Sequence, residues 1–215
     1  MKAVLDNLNL FWLGFVSTLE LLAISGIGAL ILGAAVASLR VSPFGSFRVL
    51  AAIYTEILRN TPLTLVFFLC VFVLPKVGVI LNFKLSAIIV LTVYTAPFVA
   101  EAVRSGINGV PVGQAEAARS IGLRFSQVLA LIILPQALRM VIPPLINVFI
   151  ALTKNTSVAG GFFVFELFSV GKRLANLHGS AVIPILLGVA FFYLLITVPL
   201  GQLAHHLERK IGLAR

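Results

Sequence analysis

The chain has 215 residues, of which 60% are apolar and only 11% charged, and its mean hydropathy of +1.12 excludes a soluble globular domain. The formal charge of +9 comes from Lys and Arg scattered between apolar runs, with no basic block, so anionic lipid headgroups rather than nucleic acid account for it. One cysteine, Cys70, inside an apolar run, excludes an intrachain disulfide and a multi-cysteine metal site, and is read as a small packing residue.

At ~20 residues per crossing the length allows about five membrane spans. The predicted fold class is all-α, a single polytopic membrane domain over 1–215, with spans at about 11–39, 51–74, 85–103, 128–152 and 181–203. The N-terminus carries Asp6 and no small-residue cleavage site, so no removable signal peptide is expected. In the first span Gly26, Gly28 and Gly33 do not form a dinucleotide loop; with Ala29 they permit close helix packing in lipid.

The second span opens with Glu56, Arg59, Asn60, Thr61 and Pro62. Glu56 and Arg59 are spaced to pair on one helix face, while Pro62 frees a carbonyl and kinks the helix beside a cavity. A translocation-path site and a neutralised interfacial ion pair both fit. The third span ends on Glu101 and Arg104 at the same spacing, read as an interfacial pair fixing the loop that follows. In the fourth, Pro143, Pro144 and Asn147 predict a distorted helix, and Lys154, Asn155, Thr156 and Ser157 close it. The stretch 159–168 is apolar, Gly-rich and too short to cross, so a re-entrant or interfacial helix is expected. Hydroxyls, an amide and Lys154 near Glu166 suit a zwitterionic solute, although ordinary caps of an outer loop suit the same residues.

Between the third and fourth spans, 105–127 is the one long polar interruption. Glu116, Arg119 and Arg124 cannot lie in hydrocarbon. The Ala-rich run before Gly122 favours a short helix, Gly122 suits its end, and a second helix starts near Ser126. Lys and Arg counting puts this loop inside. With the N-terminus outside and the C-terminus cytoplasmic, the inner segments hold Arg40, Arg48, Arg59, Arg104, Arg119, Arg124, Arg139, Arg209, Lys210 and Arg215, against six basic residues outside. No Walker-type phosphate loop occurs, so nucleotide hydrolysis is not expected of this chain.

Glu116-Ala117-Ala118, Gly122, Ile132, Leu134 and Pro135 have the spacing EAA-x3-G-x9-I-x-LP. This resembles the signature of permease subunits of bacterial ABC importers, whose ATPase binds the loop. Further stretches are similar to the polar amino acid subfamily: Glu56-x-x-Arg59-Asn60-Thr61-Pro62-Leu63, Tyr94-x6-Glu101-x-x-Arg104-Ser105-Gly106-Ile107, Gly113-Gln114-x-Glu116, and Leu152-x-Lys154-Asn155-Thr156-Ser157. The wording at 59–66 and 151–156 looks most like permeases of actinobacterial glutamate uptake systems. The resemblance implies a bacterial plasma-membrane importer fold for polar amino acids, glutamate or a related acidic or amide amino acid. Its partners would be ABC ATPase subunits that bind the ATP and Mg, an extracytoplasmic binding protein, and a second permease in a heterodimer, with a homodimer as the alternative. No nucleic acid partner and no cofactor of its own are expected. It implies coupling through Glu116, Ala117, Ala118, Arg119 and Gly122, and a substrate path near Arg59, Thr61, Asn155, Thr156, Ser157 and Glu166. Many such permeases carry Asp where Asn155 stands, which disfavours a cationic substrate here. A secondary transporter or a polytopic membrane enzyme is the alternative, though no inverted repeat and no cluster of catalytic residues supports either.

Overall fold

A computed structural model describes residues 2–211. After the short α1 (Lys2–Leu5), α2 (Leu8–Arg40) runs 33 residues, about 50 Å at 1.5 Å per residue and longer than the ~30 Å hydrocarbon core. Among the described residues, four helical segments are long and apolar enough to cross a membrane: α2, α5 (Phe83–Asn108), the segment Phe125–Phe162 and the segment Gly179–Lys210. A further apolar helix pair is sharply bent. α3 (Gly45–Arg59) and the run Leu63–Val77, which starts as α4 (Leu63–Phe68), meet at 101° across Asn60, Thr61 and Pro62.

This is the largest departure from the sequence reading, which kinks one continuous span over 51–74. Pro62 has no N–H to continue the ladder. The Leu58 carbonyl, which an N–H at residue 62 would have met, accepts the Thr61 N–H at 3.4 Å, and the Thr61 hydroxyl donates to the Ile57 carbonyl at 2.7 Å. With its ends satisfied, α3 lies across α2 and α5, burying Ala51 against Val36, Ala37 and Ala100. α4 then turns outward, burying Leu63 and Phe67 against Leu21, Leu91 and Leu152. Cys70 packs in the same cluster, as expected of a small apolar residue.

α2 and α5 form the closest helix pair of the fold. A Cβ at Gly33 would come within 2.6 Å of the Val99 side chain and 2.8 Å of the Ala96 carbonyl, so the absent side chain sets the approach. The first turns of the fourth crossing are α7 (Phe125–Gln127) and a π-helical stretch at Val128–Ile133. α8 (Leu134–Ala159) then runs unbroken through Pro143 and Pro144. The change in winding therefore lies upstream of the proline pair that was expected to distort this span. Beyond α8, the stretch 159–168 holds a 3-10 turn at Gly160–Phe162 and an irregular link rather than the re-entrant or interfacial helix expected there, and α9 (Leu167–Leu177) is a separate short helix after it. It packs Leu167, Val170 and Leu174 against Phe11 of α2 and against Ile185 and Val189 of α10 (Val182–Ile211). Ile27, Ile31 and Ile183 are exposed along the spans, where lipid tails rather than water would cover them.

Candidate functional site: a polar loop and an inter-helix cavity

At one end of α5, Pro111 leads into α6 (Val112–Ser120). Gly122 follows at φ +87°, with its N–H on the Arg119 carbonyl at 2.9 Å and the Leu123 N–H on the Ala118 carbonyl at 3.2 Å. These two bonds form the Schellman motif that stops a helix on a left-handed residue. The Arg124 N–H then meets Gln127 Oε1 at 2.9 Å and starts α7. The loop is thus a helix–glycine–helix knuckle held by its own backbone.

Glu116, Ala117 and Arg119 of the knuckle are exposed. Ala118 is not: it is 5% exposed, buried against its own chain, so its small size serves internal packing before any partner. Exposed instead are Val112, Ile121 and Phe125, at 72%, 79% and 69%. Exposed apolar side chains of this size mark a contact with a protein or with the membrane surface. The sequence reading passed over these three, although each is an apolar residue in an otherwise polar stretch.

A cavity of about 320 Å³ opens between α5 and α8, lined by Tyr94, Thr95, Phe98, Asn147, Leu152 and Asn155 among others. The Thr95 hydroxyl is buried with no hydrogen-bond partner. Of the path residues expected from sequence, Asn155 alone lines this cavity. Asn147, read from sequence only with helix distortion, lines it as well. Tyr94 stood in a family-like motif with no role attached to it.

The other expected path residues sit elsewhere. Thr61 caps the break after α3. Thr156 is buried and donates to the Thr153 carbonyl at 2.6 Å, and Ser157 donates to that of Lys154 at 2.6 Å. Glu166 is fully buried as the N-cap of α9. Its carboxyl accepts the Phe168 N–H at 2.8 Å, the Ser169 N–H, and the Tyr193 hydroxyl at 2.8 Å. Burial outweighs these three bonds and pushes the group up to about 7. This buried cap is built into the packing of α9 and leaves no free acceptor facing the cavity.

Arg59 does not pair with Glu56 as its spacing predicted. Glu56 Oε2 accepts the Asn60 amide at 3.3 Å, while Arg59 reaches across to Glu101 at 3.7 Å. The cross-helix partner prevails because α3 lies over α5. Glu101 also holds Arg40 at 3.1 Å and Arg104 at 2.8 Å, the latter as the i,i+3 pair expected from sequence. The Arg59 guanidinium lies 5.8 Å from the centre of the Phe98 ring, and Phe98 borders the cavity.

Residues 29–213 match the family described as binding-protein-dependent transport system inner membrane component. The chain is 39% identical to a probable glutamine ABC transporter permease protein, GlnM of Bacillus subtilis, covering 98% of this chain and 97% of that one. It is 41% identical to the glutamate transport system permease protein GluC of Corynebacterium glutamicum, over 95% and 93%. Among solved structures, the crystal structure of an amino acid ABC transporter with histidines superposes with a TM-score of 0.91 at 25% identity, covering 97% of each chain. These matches place the chain in the binding-protein-dependent transport inner membrane family, the multi-pass permease subunits of ABC transporters.

Proposed function

We propose that the chain carries an acidic or amide amino acid, glutamate or glutamine, through the cavity between α5 and α8. The observation that carries this reading is a cavity edged by the Asn147 and Asn155 amides and by Tyr94. Amides donate and accept, so they suit a carboxylate or a carboxamide. No carboxylate lines the cavity to attract an arginine or lysine side chain. The relatives named for glutamine and glutamate, matched over nearly their whole length, support the same substrate class.

Glu116, Ala117 and Arg119, with the apolar Val112, Ile121 and Phe125 around them, dock on a partner ATPase that binds ATP and Mg. Gly122 and the internally packed Ala118 hold the docking surface in shape. A second, different permease completes the path, and a binding protein delivers the amino acid from outside. The N-terminus lies outside and the knuckle inside. ATP favours the outward-open state to the extent that it binds the two states unequally. The test is uptake of labelled glutamate into vesicles by the assembled transporter. Glutamine and aspartate are expected to compete, and competition by arginine or lysine alone overturns the substrate reading. The purified chain by itself is expected to hydrolyse no ATP.

A further inference from the structure

We propose that Arg59 is an exchangeable anion-binding residue at the edge of the cavity, leaving Glu101 to take a carboxylate of the amino acid as it passes. The inference rests on the cavity being the amino acid's path. Three guanidinium groups, from Arg40, Arg59 and Arg104, converge on the single Glu101 carboxylate. Their attachments are unequal. Arg40 and Arg104 hold Glu101 at 3.1 and 2.8 Å, whereas Arg59 stands off at 3.7 Å. Glu101 therefore stays neutralised when Arg59 departs, so releasing it strands no carboxylate.

The position of Arg59 supplies the second half of the argument. It ends α3 at the 101° break, and its guanidinium lies by the Phe98 ring at the cavity's edge. The other acidic residue near it, Glu56, is engaged with the Asn60 amide. Two positive charges in this cluster have no carboxylate of their own, and an incoming carboxylate offsets one of them. Arg suits the task because its planar fork pairs a carboxylate in two-point fashion. No bond is made or broken; one ion pair replaces another.

The experiment is equilibrium binding of labelled glutamate to the complete permease–ATPase complex in lipid nanodiscs, without the binding protein. Arg59→Gln is expected to weaken binding roughly tenfold, about 1.4 kcal/mol. Arg59→Lys keeps the charge but loses the fork, and about a threefold weakening is expected. Arg48→Gln makes the same change of charge at a residue bonded only to the Ser42 and Pro43 carbonyls, and should leave glutamate affinity as it was. Binding by Arg59→Gln within twofold of wild type overturns the exchange, as does an equal loss in Arg48→Gln. If Arg59→Gln fails to assemble, unchanged affinity in Arg59→Lys overturns it instead. A wild-type complex that binds none of glutamate, glutamine and aspartate overturns the amino-acid reading itself, and the exchange falls with it.

Discussion

The chain interrupts its helices at two places by opposite means. At Gly122 the break is a positive-φ residue, closed by two backbone hydrogen bonds and surrounded by exposed side chains. At Asn60–Pro62 it is a proline, with the Leu58 and Ile57 carbonyls met by the Thr61 N–H and hydroxyl. There the two halves are fixed by buried apolar residues far away in sequence, Ala51 against Ala100 in one and Leu63 and Phe67 against Leu91 and Leu152 in the other. The first break is a local device and the second a tertiary one. A local device presents a surface without depending on the rest of the fold. A tertiary one ties a bend to the helices lining the cavity, so that a change in one is felt by the other. Substitutions that separate local from tertiary support test this contrast.

The largest effect is expected at Glu101. Replacing it by Ala leaves three guanidinium groups around an empty position. Losing one partner of a fully buried pair costs about 3–5 kcal/mol; because Arg59 and Arg104 remain 40% exposed, roughly 2–3 kcal/mol is expected here. The variant should show a lowered thermal midpoint in detergent and little uptake. A midpoint equal to wild type would make the break independent of the ion cluster.

Next come the two alanines of α6. Ala118 is buried within the chain, so Ala118→Leu overpacks the knuckle by about 1–3 kcal/mol and should disturb it even in the isolated permease. Ala117 is exposed, so Ala117→Leu should leave the isolated permease intact and weaken only co-purification of the ATPase. Limited proteolysis of the loop, with and without ATPase, separates the two. Equal protease sensitivity in both variants would show that the burial of Ala118 does not support the loop.

These contrasts also show why the sequence exposed one break more fully than the other. Gly122 was readable because helix propensity, the stop and the restart all lie within a dozen residues. Close packing at Gly33 was readable from small-residue spacing, but not that α5 is the helix it packs against. The partner of Arg59 was not, since spacing offered only Glu56, and Glu101 enters through the crossing of α3 over α5. The cavity was legible at Asn155 alone, because Thr95 and Phe98 are ordinary residues of an apolar helix until α8 faces them. Glu166 misled for a related reason: a carboxylate in an apolar stretch reads as a ligand, and only the packing of α9 reveals a buried cap.

Gly122→Val isolates the local device. A Cβ there meets nothing within 4 Å, so the whole effect is backbone strain, about 1–2 kcal/mol for an L-residue at φ +87°. Membrane level should be normal, with ATPase retention and uptake both reduced. Normal retention and normal uptake would remove the knuckle from the coupling role.

The smallest effect is expected at Pro62, the residue that most suggests a break in the sequence. Its φ of −61° and ψ of 133° are open to alanine, so Pro62→Ala introduces no strain. The substitution restores an N–H and loosens the unfolded chain, a change of about 0.4–1 kcal/mol. For the helix to straighten, tertiary contacts would have to be given up. Arg59 would swing away from Glu101, and Leu63 and Phe67 would leave the cluster they share with Leu91 and Leu152. Burying side chains of that size is worth ~1.5–3 kcal/mol each, several times what one restored backbone hydrogen bond contributes at ~1 kcal/mol. The bend should therefore survive without the proline, and uptake by Pro62→Ala should stay within about twofold of wild type. A distance between spin labels at positions 47 and 72 reads the angle directly. A clear lengthening toward that of a straight helix would show that the proline itself makes the bend, leaving both breaks local.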